Sequence, residues 1–167
     1  PKGSGEPVAL SCSTESYKDK VVINEIFLSS GEFIELYFLE AVTIPGNDQW
    51  QLCYIKNNNQ DVCVDWPADN QAYAADTYEF YDLPSNAGIN TTESEVVLLD
   101  GHGDVIDAWR YCNEAACAEM QWSVPAGCLS VITEHESNQQ DLARRPDGTG
   151  APQDNGRDPT KGESNDG

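Results

Sequence analysis

Short stretches of alternating apolar and polar residues run through most of the chain. The first pair spans residues 21–28 (VVINEIFL) and 32–38 (EFIELYF), joined by residues 29–31 (SSG). Both stretches are rich in β-branched and aromatic residues, which favour strands. A three-residue loop that ends in glycine is typical of a hairpin, because glycine adopts the left-handed backbone that the loop requires. The pattern therefore predicts an antiparallel hairpin over residues 21–38.

The register of this hairpin brings two acidic residues face to face. Pairing the residues that flank the loop places Glu25 directly opposite Glu35. Like charges in facing positions repel, so we expect a basic side chain, a bound cation or a raised pKa to compensate. We favour a structural ion cluster in which Arg144 or Arg145 bridges both glutamates through charge-assisted hydrogen bonds. A bound divalent cation is the alternative.

Strand alternation divides the hairpin into two faces. The face that carries both glutamates also carries Ile23, Phe27, Phe33 and Tyr37. The opposite face is expected to be core, and carries Val22, Ile26, Leu28, Ile34 and Leu36. Asn24 falls on this apolar face, where it would require a buried hydrogen-bond partner.

The rest of the chain also favours strands over helices. A second hairpin is predicted over residues 49–56 and 61–66, and a third over 95–100 and 104–109. Single strands are predicted over residues 77–83 and 128–133. Short strands at this spacing indicate an antiparallel β-sandwich. Residues 1–20 form a lead segment, and the composition of residues 146–167 predicts a long irregular C-terminal segment.

Charge excludes some partners. The chain of 167 residues has a net charge of −20, which argues against nucleic acid, whose phosphates require Lys and Arg. Residues 57–109 contain eleven Asp and Glu but no Lys or Arg. This acidity indicates either a solvated surface or a site for a divalent cation or a basic partner. No run of 18 apolar residues is present, so we expect no direct membrane insertion.

The six cysteines indicate three disulfides and an oxidising compartment. Cys53 and Cys63 would face each other across the second hairpin, and Cys112 and Cys117 would close a small loop. Cys12 and Cys128 remain, and would tether the lead segment to the body. Fifteen pairings are possible for six cysteines, and a structural zinc is the rival interpretation, although no C-x-x-C pair is present.

Five segments, taken in order, match a set of family motifs. Residues 22–26 (VINEI) match an opening INE strand, and residues 32–37 (EFIELY) an aromatic-IELY strand. Residues 48–52 (DQWQL) are similar to a GWxL strand, and residues 96–107 (VVLLDGHGDVID) to a V-x-L-x-D-x-x-G-x-V-x-D hairpin. Residues 144–165 are similar to an ending with R-x-P-D-G-T, D-N, D and P-T-P-G-A-x-N. Together these segments resemble the bacterial lamin-tail-type domain.

This resemblance implies an immunoglobulin-like sandwich over residues 21–165, followed by a tail at 166–167. It also implies a non-catalytic module of secreted or surface-attached bacterial proteins, which often accompanies hydrolases, nucleases or adhesive regions. A fold of this kind does not by itself define a function.

Two candidate ligand sites remain. Asp147, Asp154, Asn155 and Asp158 offer the closely spaced oxygens that calcium prefers, although turn-forming polar residues are the simpler interpretation. Trp66, followed by proline in an acidic loop, is the best candidate for an exposed aromatic that binds carbohydrate, although Trp in a sandwich is more often core. The recognised nucleophile, zinc-protease and phosphate-loop motifs do not occur, so we expect no enzyme activity.

We therefore expect a disulfide-braced module outside the cytoplasm, secreted or at the bacterial cell surface. The leading hypothesis is a component of a surface or appendage assembly that acts through protein–protein contacts, by strand addition at an open sheet edge. One alternative is a calcium- or carbohydrate-binding adhesin domain, with calcium as the possible cofactor. The other is an accessory domain of a secreted hydrolase.

Overall fold

The computed structural model describes residues 6–13, 17–66, 71–84, 88–136, 141–154 and 159–165. Within them the chain forms fourteen strands and one turn of 3-10 helix at Ala126–Cys128. In chain order the strands are β1 (Val8–Ala9), β2 (Val21–Phe27), β3 (Phe33–Phe38), β4 (Val42–Ile44), β5 (Gln51–Ile55), β6 (Asp61–Asp65), β7 (Gln71–Tyr73), β8 (Thr77–Asp82), β9 (Ser94–Leu99), β10 (Val105–Tyr111), β11 (Trp122–Ser123), β12 (Leu129–Ile132), β13 (Asp141–Arg144) and β14 (Pro152–Asp154).

Two five-stranded sheets pack face to face and confirm the predicted all-β sandwich. The first sheet has the order β12-β10-β9-β5-β6, and the second has the order β14-β13-β2-β3-β8. Strands β10 and β2 contact each other across the core between the sheets. The remaining described strands form two small two-stranded sheets, β1-β11 and β4-β7.

All three predicted hairpins are present as β2-β3, β5-β6 and β9-β10. The predicted single strands are present as β8 and β12. The pairing is not antiparallel throughout, however, because β12 runs parallel to β10 and β1 runs parallel to β11. A parallel neighbour needs a crossover of a dozen or more residues, and the chain between β10 and β12 provides it.

A bulge in β2 corrects the predicted faces of the first hairpin. Glu25 pairs with Glu35 as predicted, but Ile23 pairs with Leu36, so Asn24 is the extra residue. The bulge shifts the strand before it by one position. Ile23 therefore lies in the core, although it was predicted on the face of the glutamates, and Val22 is only half buried.

Two apolar clusters hold the sandwich together. The larger one lies between the two sheets and includes three tryptophans, which are Trp50, Trp66 and Trp109. The smaller one lies on the outer side of the first sheet, where Cys53 and Val97 pack with Trp122 and Val124. The 3-10 turn and the lead segment therefore cover a sheet face that would otherwise meet water.

The N-terminal lead segment is tied to the body at two points. Strand β1 pairs with β11, and Cys12 forms a disulfide with Cys128. The other two disulfides join Cys53 to Cys63 and Cys112 to Cys117. The structure therefore contains all three disulfides that the spacing predicted, which leaves no thiol for the rival zinc site.

The C-terminal segment is less irregular than its composition predicted. Strand β13, which was not predicted, pairs with β2, and β14 pairs with β13 in a stretch that was expected to be loop. Residues 159–165, called here the C-terminal strap, return to the outer face of the second sheet. Residues 166–167, the predicted tail, lie outside the described residues.

Candidate functional site

The two facing glutamates lie beneath the C-terminal strap. Glu25 and Glu35 are both 0% exposed. Glu25 accepts hydrogen bonds from the backbone N–H of Thr160 at 2.9 Å and from its hydroxyl at 3.0 Å. Glu35 accepts one from the Asn24 amide at 3.1 Å and one from the backbone N–H of Gly162. Uncharged donors, most of them in the strap, therefore serve both carboxylates.

Burial changes the acidity of one of these carboxyls. Removal from water raises the pKa of Glu35 from its usual 4.5 to about 7, and repulsion from Glu25 and Asp147 acts in the same direction. The hydrogen bonds from Gly162 and Asn24 favour the ionised form and oppose this rise. A raised pKa was one of the three compensations considered from the sequence, and the surroundings of Glu35 support it.

The arginine cluster predicted for these glutamates is wrong for Arg144. Ala143 pairs with Glu25, so alternation places the Arg144 side chain on the opposite, core side of β13. There it donates to Asp107 at 2.9 Å and to the carbonyl of Ile23 at 2.8 Å. Desolvation raises the pKa of Asp107, while attraction to Arg144 opposes that rise.

Arg145 does not fill the predicted role either. Its Nε is buried and has no hydrogen-bond partner among the described residues. The contacts described for Glu25 and Glu35 come from the strap and Asn24. The C-terminal strap lies against the glutamates, and it contacts them through Thr160 and Gly162 instead of an arginine.

Asp147 connects the strap to the sheet. Its carboxylate accepts hydrogen bonds from Asn24 at 2.9 Å, Asn165 at 2.7 Å, Tyr78 at 3.0 Å and Ser164 at 2.8 Å. Asn24, the bulge residue, also accepts from the backbone N–H of Gly148 at 3.0 Å. The prediction that Asn24 needs buried partners is confirmed, but its predicted place on the apolar face is wrong, because the bulge turns its amide toward Glu35 and Asp147 on the side of the glutamates.

The calcium ligands predicted with Asp147 are not brought together in the part of the chain described here. Asn155 and Asp158 lie outside the described residues, and for Asp154 only the backbone is described. Both oxygens of Asp147 already accept hydrogen bonds from protein groups. Among the described residues, no group of three or more His, Cys, Asp or Glu side chains is placed to hold a metal ion.

Trp66 is buried, and the prediction that it is exposed is wrong. Its side chain is 1% exposed, because Val62, Val64 and Trp66 alternate onto the core side of β6. Its backbone N–H donates to the carbonyl of Trp50 at 2.9 Å. The other tryptophans are buried as well, so the described residues present no tryptophan platform for a sugar ring.

One buried ion pair was missed from the sequence. Arg110 pairs directly with Glu95 across the third hairpin, and its Nε donates to that carboxylate at 2.7 Å. Glu95 also accepts from the backbone N–H groups of Gln121 at 2.9 Å and Trp122 at 3.0 Å. The hairpin register gave the signal, because opposite charges in facing positions attract. The pair anchors the crossover loop to the first sheet.

The second candidate site is the open side of the sandwich, where β6 and β8 are the outermost strands of their sheets. The two strands lie close together, because the rings of Trp66, which follows β6, and Tyr81, on β8, have centroids 6.4 Å apart. Val62, Val64 and Tyr81 are only partly buried there, against the main core. The described residues therefore cover the core less completely on this side.

Along β8, the backbone N–H and C=O groups of successive residues point alternately toward β3 and away from it. The N–H of Leu83 donates to the carbonyl of Glu32 at 2.9 Å, so alternate residues before it point toward β3. The N–H and C=O groups of Tyr78, Phe80 and Asp82 consequently point away from β3. No described strand pairs with this side of β8.

An apolar ring and a cation sit at this edge. Phe80 is 44% exposed, which makes it one of three exposed large hydrophobic residues in the described structure. Lys161 of the strap lies over the Phe80 ring, with Nζ 4.0 Å from its centroid, and forms an ion pair with Asp82. The edge therefore combines an aromatic surface and a carboxylate with backbone groups that pair with no described strand.

Comparison with protein-family models and with curated protein sequences gives no match. Within the described residues, no helix is long and apolar enough to span a membrane.

Proposed function

We propose that the chain is a non-catalytic binding module that acts outside the cytoplasm, through protein–protein contacts, in a bacterial surface or appendage assembly. The observation that carries this proposal is the outer edge of β8, with which no described strand pairs. An unpaired edge beside a partly buried apolar core is the surface that strand addition uses, because main-chain hydrogen bonds supply affinity and side-chain pockets supply specificity.

The disulfides support the proposed location. Three of them involve all six cysteines, and one joins residues that are 116 positions apart. Disulfides form and persist in oxidising compartments and are rare in cytosolic proteins. A module that is secreted or held at the cell surface would keep these three disulfides, because its surroundings are oxidising.

The hydrogen bonds that the buried acidic side chains accept support a non-catalytic role. Glu25, Glu35, Glu95 and Asp107 are all buried, and each accepts hydrogen bonds that tie strands or loops together. Catalytic acids and bases need access to a substrate. These carboxylates instead serve the architecture.

Relation to the bacterial lamin-tail-type domain is part of this proposal. The INE and IELY segments lie side by side as β2 and β3, and the ending supplies Asp147, Thr160 and Asn165 to one hydrogen-bond network. Motifs far apart in sequence thus act as one unit. This supports, for the chain, an immunoglobulin-like sandwich of that type.

A displayed library of random peptides, selected against the intact protein, tests the proposed function. We expect enriched peptides without proline, because an added strand needs its N–H groups. They should lose binding to Phe80→Pro, which removes an outward N–H. Phe80→Ala removes the same side chain but keeps the N–H, so comparison of the two variants isolates the backbone contribution.

Asp65→Pro serves as the matched control on the β6 edge and should leave binding unchanged. Urea unfolding of each variant establishes that it is folded. Failure to enrich any peptide would contradict the proposal, and so would peptides that bind all three variants equally.

A further inference from the structure

Resting on the proposed role of the β8 edge, we propose that its occupant is an extended segment of another protein. This segment carries Lys or Arg on one face and apolar residues on the other. Strand addition alone does not select a sequence, because every chain has the same backbone. The selection comes from the side chains that flank the edge.

The charges at the open side favour a basic partner. Glu79 and Asp82 lie on β8 itself, and both are exposed. Residues 57–109 supply no Lys or Arg, and the described cation beside these acids is Lys161 of the strap, which pairs with Asp82. Electrostatic complementarity of this kind selects partners and speeds association.

The same charges disfavour a second copy of this chain as the occupant. Each copy carries a net charge of −20, and pairing two β8 edges would bring two strands that each carry Glu79 and Asp82 side by side. Like charges opposite each other destabilise a sheet. Acidic residues on an edge strand protect it from self-association, but they attract a strand that carries positive charge.

Lys161 already makes, within the molecule, the contacts that we expect of a partner's Lys or Arg. Its ammonium lies over the Phe80 ring and is paired with Asp82. A cation over an aromatic face gains electrostatic stabilisation from the ring, and a neighbouring carboxylate adds to it. The site on β8 is thus built to hold a cationic side chain, and Lys161 occupies it from the strap.

The two faces of β8 define the side-chain pattern of the partner. Tyr78, Phe80 and Asp82 share the outer face with Glu35 and the strap, whereas Tyr81 packs toward the core. A strand added beside β8 would place alternate residues on these two faces. Its Lys or Arg residues would meet Phe80 and Asp82, and its apolar residues would cover the partly buried Val62, Val64 and Tyr81.

Fluorescence anisotropy with synthetic peptides of about eight residues, a typical strand length, tests this inference. One peptide alternates Lys and Val, and two matched peptides replace Lys by Thr or by Glu. We expect the Lys peptide to bind at least about tenfold more tightly than the Thr peptide, and the Glu peptide to bind most weakly. A Lys peptide with alternate N-methylated amides keeps its charge but cannot form the ladder, and should lose binding.

Protein variants locate the effect. Lys161→Ala vacates the cation position and should tighten binding of the Lys peptide by about 2- to 5-fold, in line with loss of an exposed ion pair. Asp82→Asn should weaken it. Asp61→Asn makes the same change in net charge on the β6 edge and should leave it nearly unchanged.

Equal binding of the Lys and Thr peptides would overturn the inference, as would undiminished binding of the N-methylated peptide or equal effects of Asp82→Asn and Asp61→Asn. Absence of binding by all the peptides would also overturn it. The proposed function is judged separately by the displayed library: binders that respond to Phe80→Pro but carry no excess of Lys or Arg would leave that function standing.

Discussion

Glu25 and Glu35 lie directly opposite each other on β2 and β3, and both carboxylates are buried beneath the C-terminal strap. The N–H and hydroxyl of Thr160 and the N–H of Gly162 supply hydrogen bonds to them. The strap is therefore part of the folded unit, because its removal would leave two facing carboxylates without these donors.

Glu35 should make stability depend on pH. Its pKa is raised to about 7 by burial, so the folded state holds the proton more tightly than the unfolded state. The stabilisation is complete below the usual pKa of 4.5 and is lost as the pH rises through about 7. The folded state loses about 3 kcal/mol of stability relative to the unfolded state across this pH range.

Urea unfolding from about pH 5 to pH 8 measures this dependence. The Glu35→Gln variant has no titrating group at this position, so its stability should fall less than that of the unaltered protein. The difference between the two profiles removes the contribution of the other acids. Parallel profiles would contradict the assignment to Glu35.

Loss of the Thr160 hydroxyl should loosen the strap. Thr160→Val keeps the shape of the side chain but removes the donor to Glu25, which leaves a buried carboxylate oxygen short of a partner. We expect a loss of about 1–3 kcal/mol in unfolding free energy. Thr160→Ser retains the hydroxyl and should lose much less; equal losses would show that packing matters instead.

The two adjacent arginines should differ in importance. Arg144→Met leaves Asp107 buried without its cation and should cost about 3–5 kcal/mol. Arg145→Met removes a guanidinium whose Nε has no described partner, and should cost clearly less. A double variant, Arg144→Met with Asp107→Asn, should recover part of the loss. Similar costs for the two single changes would count against the contacts described.

The disulfides should contribute more to stability the longer the loop they close, because the entropy of the unfolded chain falls with the logarithm of loop length. Cys12 and Cys128 are 116 positions apart, whereas Cys112 and Cys117 are 5 apart. Chain entropy then predicts a loss of about 5 kcal/mol when the first pair is replaced by alanine, against about 2 kcal/mol for the second. Thermal and urea unfolding of the two double variants provide the comparison, and a larger loss from the short loop would reject this ranking.

The local hairpins could be predicted from the sequence because their information is local. Alternation and the Ser-Ser-Gly loop fix the register that sets Glu25 against Glu35. The cysteine spacing predicts all three disulfides for a similar reason, since two of them close short loops and only one pair then remains.

The predictions were wrong where a shift of one residue along a strand moves a side chain from one face of the sheet to the other. The bulge at Asn24 carries Ile23 into the core and has no signal in the alternation of apolar residues. Arg144 lies on the core side of β13, a strand whose pairing depends on contacts distant in sequence. Trp66 directly follows β6 and continues the core-facing series of Val62 and Val64, so this alternation was a stronger signal than the proline beside it.

Amide hydrogen exchange, measured by NMR with and without a saturating amount of the Lys–Val peptide, tests the binding role of the β8 edge most directly. We predict that the outward N–H groups of Tyr78, Phe80 and Asp82 become protected when the peptide binds, while the amides of β6 keep their rates. Saturable binding with unchanged exchange at these three amides would contradict strand addition at β8.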